Sequence, residues 1–122
     1  MSPDDARLAA LCAALKKVQD DLSLPELVAL LAVGVEAGLS VNELSERIGA
    51  PQQSTSRYVS VLTGRYPNSS TSTDRRPFIT QGVKQNDPRS RALHLAERGR
   101  EIVNDILQAA ILDAKDAFHV GR

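Results

Sequence analysis

Residues 39–62, LSVNELSERIGAPQQSTSRYVSVL, predict two short helices joined by a tight turn. Ser40 and Glu43 have the S-x-x-E spacing of a capping box, in which the hydroxyl and the carboxylate bind the free amides at a helix start. Gly49 can adopt the left-handed conformation that ends a helix, and Pro51 suits the first turn of the next helix. The stretch therefore predicts a helix-turn-helix whose second helix is the candidate recognition helix.

This second helix, predicted over residues 52–63, has two chemically different faces. At about 100° per residue, the apolar face carries Thr55, Tyr58, Val59 and Leu62. The opposite face has no carboxylate and no large apolar side chain, so it suits phosphate oxygens and base edges. Helical hairpins are also common as packing units without nucleic acid, and these residues alone leave that alternative open. The candidate DNA-contacting residues of this helix are Gln52, Gln53, Ser54, Ser56, Arg57 and Ser60.

Length and composition favour a single domain of 122 residues with a modest core. No run approaches the roughly 20 apolar residues that span a bilayer. The first ten residues contain acids where a secretory signal has basic residues, so we expect a cytoplasmic protein without membrane contact. Cys12 is the single cysteine, which excludes an internal disulfide and a multi-cysteine metal cluster. Four aromatic residues, Tyr58, Tyr66, Phe78 and Phe118, argue against a stacking platform for single-stranded nucleic acid.

Charge is unevenly distributed along a chain whose formal net charge is zero. Residues 1–46 contain eight acidic and three basic residues, a net charge of −5. Residues 57–100 contain nine basic and three acidic residues, a net charge of +6. Positive charge on the candidate recognition helix and the segment after it favours a polyanionic partner, the alternative being a solvated Arg-rich loop.

Two helices are predicted before the helix-turn-helix. Residues 3–20 carry an apolar stripe that includes Cys12, which we expect to be buried and unreactive, as free cysteines commonly are. Residues 24–38 begin with a second capping box, formed by Ser23 and Glu26, and are apolar on nearly every side. A helix of that kind is buried, so the second helix is predicted to be the centre of the core.

A β-hairpin is predicted after the helix-turn-helix. Residues 64–78 lack periodicity and are rich in Ser, Thr, Asn and Pro, which predicts a flexible loop. Residues 79–84 and 91–95 predict two short strands, with the tip at residues 85–90. A hairpin in this position is the wing of a winged helix.

The last predicted helix, residues 97–118, carries a long apolar stripe that needs a cover. The first helix of the same chain can provide it, as in a monomer, or a second copy can. We favour a homodimer formed by both terminal helices. The predicted dimerisation residues are Leu8, Leu11, Leu15, Val103, Ile106, Leu107, Ala110, Ile111 and Phe118.

From residue 24 to residue 99, the sequence resembles the MarR-type winged-helix transcription regulators. The core helix and helix-turn-helix look like those of the family, the wing agrees more specifically in motif, and the terminal helices agree in kind. The family's wing has the pattern D-x-R, five residues, L-T, two residues, G, and Asp87, Arg89, Leu95 and Gly99 stand at those spacings. Ala96 replaces the family's Thr, and residues 64–78 form an insertion before the wing.

The resemblance implies that Arg89 enters the minor groove from the wing tip while Asp87 braces it, a placement favoured by the negative potential of a narrow minor groove. It also implies a homodimer on a pseudopalindromic operator, usually acting as a repressor. With so few aromatic residues, a pocket for an aromatic acid is not expected, and a small-molecule effector is possible but unsupported. The candidate DNA-contacting residues of the wing are Lys84, Asp87, Arg89 and Arg91.

The sequence therefore predicts a mostly α-helical fold with a small β-hairpin: one winged helix-turn-helix domain over residues 1–122, with its core at residues 23–99 and terminal dimerisation helices at residues 3–20 and 97–118. The predicted function is sequence-specific binding of double-stranded DNA in transcription regulation. We expect no enzymatic activity, metal or cofactor, because His94 and His119 lack ligand or triad partners in sequence and no phosphate-binding Gly loop is present. The alternative is a winged helix used for protein–protein assembly, as in some replication or partition complexes.

Overall fold

The computed structural model describes residues 2–64, 76–84 and 87–120, with the side chains of residues 84, 87–90 and 111–120 excepted. Within these residues no helix is both long and apolar enough to cross a bilayer. The predicted class, mostly α with one hairpin, is confirmed. The elements in order are α1 (Pro3–Lys16), α2 (Leu24–Val35), α3 (Val41–Ile48), α4 (Gln52–Leu62), β1 (Ile79–Lys84), β2 (Asp87–Leu95) and α5 (Glu97–Val120).

The helix-turn-helix α3–α4 forms through the local signals that its sequence contains. The amide of Glu43 donates to Ser40 Oγ at 3.1 Å, and the amide of Ser40 donates to Glu43 Oε1 at 3.0 Å, which completes the capping box. Gly49 ends α3 with φ = 67°, in the left-handed region that favours glycine. The hydroxyl of Ser45 then donates to the carbonyl of Ala50 at 2.6 Å and closes the turn into α4.

Helix α2 lies at the centre of the core, as predicted. Leu30 and Val33 are fully buried, and α3, α4, β2 and α5 all pack against this helix. Its burial does not extend to every apolar side, however, because Leu24, Val28 and Val35 are exposed. The other large, fully buried side chains among the described residues come from the helix-turn-helix and the hairpin, and they are Leu39, Leu44, Thr55, Leu62, Ile79 and Leu93.

The hairpin is antiparallel and longer than predicted. Strand β2 begins at Asp87 rather than at Arg91, which shortens the tip. The connection between α2 and α3 pairs with β2 through an isolated antiparallel bridge between Leu39 and Leu93. The amide of Leu93 donates to the carbonyl of Leu39, and the amide of Gly38 donates to the carbonyl of Leu93, both at 2.8 Å. These bonds fix the wing directly to the start of the helix-turn-helix.

The end of α4, the start of the wing and the start of α5 meet at Phe78, and we call this meeting point the joint. The amide of Phe78 donates to the carbonyl of Leu62 at 2.8 Å, so the chain returns from the long segment after α4 to the point where α4 ends. The carbonyl of Phe78 in turn accepts from the amide of Ala96 at 2.9 Å, one residue before α5. These two bonds define where β1 starts relative to the end of α4, whereas most of the predicted loop at residues 64–78 lies outside the described residues.

The terminal helices α1 and α5 pack on each other within the chain. The buried side of α1 carries Ala14, with Ala6, Ala10 and Leu11 half-buried beside it, and the small alanine side chains allow a close approach. Leu8 is 64% exposed on another side of α1, and Cys12 is exposed as well. The expectation that Cys12 is buried is therefore wrong, because α1 turns its alanines rather than its whole leucine stripe towards α5.

Candidate nucleic-acid interface

Helix α4 presents to solvent the polar face that its periodicity predicts. Thr55, Val59 and Leu62 are buried on the opposite face, where α4 packs against α2 and α3. The hydroxyl of Thr55 is satisfied within the helix, since it donates to the carbonyl of Pro51 at 3.0 Å. Of the predicted contact residues, Ser54 and Ser60 are half-buried. The other four are exposed: Gln52, Gln53, Ser56 and Arg57.

Polar side chains on the outer face of α4 have no partner within the described part of the protein. Within the described part of the chain, Gln53, Ser56 and Arg57 make no side-chain hydrogen bond or ion pair. The first turn of α4 has no acidic residue, and Pro51 provides no side-chain cap for its amides, whereas α1, α2 and α3 each begin with a capping box. Free amides at a helix start and an unpaired guanidinium both suit phosphate oxygens or base edges.

The wing places Arg89 in an irregular part of β2 rather than in the turn. Lys84 pairs with Asp87 and Val83 pairs with Arg91, so residues 88–90 have no partner on β1. Such a bulge bends a strand and changes the direction of its side chains. The side chain of Arg91 is exposed, whereas the side chains of Lys84, Asp87 and Arg89 lie outside the described ones. The predicted Asp87–Arg89 brace therefore stays a prediction.

The basic segment at residues 57–100 offers fewer cations to a partner than its sequence predicts. Arg76 forms ion pairs with Glu101 at 2.8 Å and with Glu97 at 3.8 Å. Arg98 is buried against Asp21 at 2.9 Å, and Arg100 donates to the carbonyl of Leu95 at 2.9 Å. Carboxylates of the same chain balance the charges of Arg76 and Arg98, whereas Arg100 stays exposed. The positive charge available to a partner is therefore smaller than the sequence predicts, but it still includes Arg57.

A further arginine outside the predicted set lies on α3. Nε and Nη2 of Arg47 donate to the two carboxylate oxygens of Glu36 at 3.1 and 3.3 Å. The hydrogen bond and the charge of Glu36 raise the pKa of Arg47 above its usual value. This pair joins the end of α2 to the end of α3. Sequence reasoning did not find it because its members lie 11 residues apart in different helices.

The predicted dimerisation residues divide into two groups. Leu8, Leu15 and Leu107 remain 64, 39 and 48% exposed, and Ala110 is exposed as well. Leu11, Val103 and Ile106 are half-buried, and Ile106 packs against the core of its own chain. The side chains of Ile111 and Phe118 lie outside the described ones. An apolar surface is therefore left after α1 has packed on α5, although Ile106 is partly committed to the monomer.

An open cavity of about 240 Å³ lies between α1 and the start of α5. Its walls hold as many carboxylates as cations and no aromatic residue: Ala14, Lys17, Val18, Asp21, Arg76, Arg98, Glu101, Ile102 and Asp105. Several of these groups already pair with each other across it. Among the described residues, no group of three or more His, Cys, Asp and Glu side chains could hold a metal ion.

Several solved structures share this arrangement. RV1404 from Mycobacterium tuberculosis gives a TM-score of 0.66 at 16% sequence identity, over 93% of this chain and 67% of that protein. A MarR-like transcriptional regulator from Thermotoga maritima gives 0.63 at 20% identity, over 84% of this chain and 65% of that protein. A mutant of MepR from S. aureus, bound to an oligodeoxyribonucleotide, gives 0.62 at 17% identity, over 93% of this chain and 75% of that protein.

The likeness is one of fold, and the chain spans about two thirds to three quarters of the length of these proteins. No protein-family sequence model matches the chain, and no curated protein sequence does. The winged helix-turn-helix predicted from the sequence is confirmed.

Proposed function

We propose that this chain, which has the winged-helix fold of the MarR-type regulators, binds specific sites on double-stranded DNA as a homodimer and thereby regulates transcription. The observation that carries the proposal is the exposed face of α4. Gln53, Ser56 and Arg57 stand there without partners in the described part of the chain, on a helix whose other face is locked into the core. A rigid helix with free amide, hydroxyl and guanidinium groups meets the requirements for reading base edges in a major groove.

Two further features support a DNA partner. The wing is fixed to the helix-turn-helix by backbone hydrogen bonds at Leu39 and Leu93, so it can act together with α4 on one duplex. Arg91 is exposed on this wing, and Lys84 and Arg89 belong to the same hairpin. The MepR mutant has this fold and is bound to an oligodeoxyribonucleotide. In this chain, α4 would read the major groove, and Arg89 and Arg91 would contact the adjacent backbone or minor groove.

The homodimer is proposed from the apolar surface that α1 and α5 leave uncovered. Leu8 and Leu107 are large apolar side chains that are about half exposed or more. A second copy is the partner that this surface fits, because a two-fold arrangement brings the same residues together from both sides. Two copies would place two recognition helices in successive major grooves, about 34 Å apart.

We propose repression as the mode of regulation, because a dimer that covers a helical turn or more of DNA excludes other proteins from the same site. This proposal includes no small-molecule effector. The polar, aromatic-free cavity between α1 and α5 offers it no apolar pocket.

The proposal is tested by selecting bound duplexes from random DNA and measuring the affinity for the selected sequence. We expect a site with two inverted half-sites. Arg57→Ala should weaken specific binding by about 1–3 kcal/mol if Arg57 contacts guanine in a bidentate manner. Arg76→Ala is the matched control, since it removes the same charge from a residue that pairs with Glu97 and Glu101. Failure to enrich any sequence, or equal affinities of the parent and Arg57→Ala, would refute the proposed interface.

A further inference from the structure

The ion pair between Asp21 and Arg98 is buried. Nη2 of Arg98 donates to Asp21 Oδ2 at 2.9 Å, and both side chains are only 11% exposed. The two residues lie 77 positions apart in the sequence. Burying two charges costs desolvation free energy, so such a pair contributes less to stability than its short distance suggests.

The pair lies where the chain passes between the terminal helices and the winged helix-turn-helix. Asp21 belongs to the connection between α1 and α2, through which the chain enters the DNA-binding part. Arg98 is in the first turn of α5, through which the chain leaves it. The ion pair therefore links the segment that enters the DNA-binding part to the segment that leaves it. We call the Asp21–Arg98 pair the clamp.

Arg98 also connects this clamp to the recognition helix. Its guanidinium carbon lies 4.1 Å from the centroid of the Phe78 ring, and Nη1 donates to the carbonyl of Arg76 at 3.3 Å. Phe78 is bonded through its amide to Leu62, the last residue of α4. A rotation of the terminal helices relative to α4 would have to break either the ion pair or the contact of Arg98 with Phe78.

We propose that Asp21 and Arg98 are positioning residues that hold the terminal helices at a fixed angle to the winged helix-turn-helix, and so set the distance between the two recognition helices of a dimer. This inference rests on the proposed homodimer and DNA function. It assigns to the pair the choice of half-site spacing. The affinity of each half for DNA stays with α4 and the wing.

The direct test measures the distance between the two DNA-binding parts without DNA. In a Cys12→Ser background, Asn42→Cys places one spin label per chain on the exposed surface of α3, outside the proposed DNA contacts. Double electron–electron resonance then measures the distance between the two spin labels of the dimer. Asp21→Asn with Arg98→Met removes both charges together, so that no charge is left buried alone. We expect a narrow distance distribution for the parent and a clearly broader one for the double variant.

Two further variants sharpen the test. Glu36→Gln with Arg47→Met removes an Arg–carboxylate pair that lies within the winged helix-turn-helix, so its distribution should stay narrow. Arg98→Lys keeps a cation beside Asp21 and gives up the planar contacts with Phe78 and Arg76, so it should broaden the distribution less than the double variant does. Circular dichroism confirms that each protein is folded.

Binding to selected sites gives a second readout. The parent should prefer one half-site spacing, and in the double variant this preference should fall about 5-fold or more, the low end of typical coupling between sites, with non-specific affinity unchanged. An unchanged distance distribution and unchanged spacing preference in the double variant would overturn the inference and leave the proposed function intact. A parent without any dipolar signal would refute the dimer, and with it the inference.

Discussion

Replacement of Gly99 by alanine tests the joint that holds α4, the wing and α5 together. A Cβ atom built on Gly99 collides with the carbonyl oxygen of Phe78 and comes within 3.2 Å of Leu30 Cδ1. The colliding atom belongs to the backbone, so it cannot move aside as a flexible side chain would. The same carbonyl accepts the amide of Ala96 at 2.9 Å, so a displacement of Phe78 also strains that bond.

The expected cost combines three effects. Overpacking against a fixed neighbour costs about 1–3 kcal/mol. Weakening one backbone hydrogen bond costs about 0.5–1.5 kcal/mol. Alanine in a helix gains at most about 1 kcal/mol over glycine, which offsets part of that loss. With the full helix gain subtracted, we therefore expect Gly99→Ala to lower the free energy of unfolding by about 0.5–3.5 kcal/mol.

Gly34→Ala is the matched control, because Gly34 also lies in a helix close to α5. A Cβ atom there would meet Leu95 Cδ1 at 3.5 Å and Val103 Cγ2 at 3.7 Å, which are ordinary contacts. This variant should gain about 0.4–1 kcal/mol from the reduced entropy of the unfolded chain. Urea denaturation followed by circular dichroism at one protein concentration measures both. If Gly99→Ala were as stable as the parent, the collision at Phe78 would not exist in the folded protein.

Three other variants test separate parts of the account. Arg89→Ala should weaken DNA binding at fixed salt without changing the melting temperature, and unchanged affinity in anisotropy titrations would exclude a wing contact through this residue. Leu8→Glu together with Leu107→Glu should separate the subunits and abolish specific binding while helicity is kept, since both side chains are exposed in the single chain. A dimer of this double variant in analytical ultracentrifugation would contradict the proposed interface. Gly49→Ala should lower the free energy of unfolding, measured by thermal denaturation, by about 1–2 kcal/mol. The left-handed backbone strains an alanine even though no other atom lies within 4 Å of its Cβ.

The helix-turn-helix could be predicted from the sequence because its signals are local. Ser40 and Glu43, which cap α3, lie three positions apart, and Gly49 acts through its own backbone. Helical periodicity was enough to separate the buried and exposed faces of α4. The choice of Arg57 as a candidate contact follows from that periodicity alone.

What the sequence did not predict depends on distant partners. Arg98 was counted as part of a basic surface, and its burial follows from Asp21, which is 77 residues away. The alanine and leucine sides of α1 both suit a helix partner, so only the packing against α5 decides that Cys12 is exposed. The whole of residues 85–90 is predicted as the tip, yet the bulge in β2 lets the strand start at Asp87 because residues 88–90 have no partner on β1.

The salt dependence of binding to the selected duplex shows whether α4 and the wing form a DNA interface. If α4 and the wing neutralise phosphates, the logarithm of the affinity should fall linearly with the logarithm of the salt concentration, with a slope of about −0.9 for each phosphate contacted. An Arg57→Ala variant should reduce that slope by about one if Arg57 contacts a phosphate, and should leave the slope unchanged but relax sequence preference if it contacts a base. A protein that binds no duplex DNA at low salt, or binds it without salt dependence, would contradict the account and favour a winged helix used for protein–protein assembly.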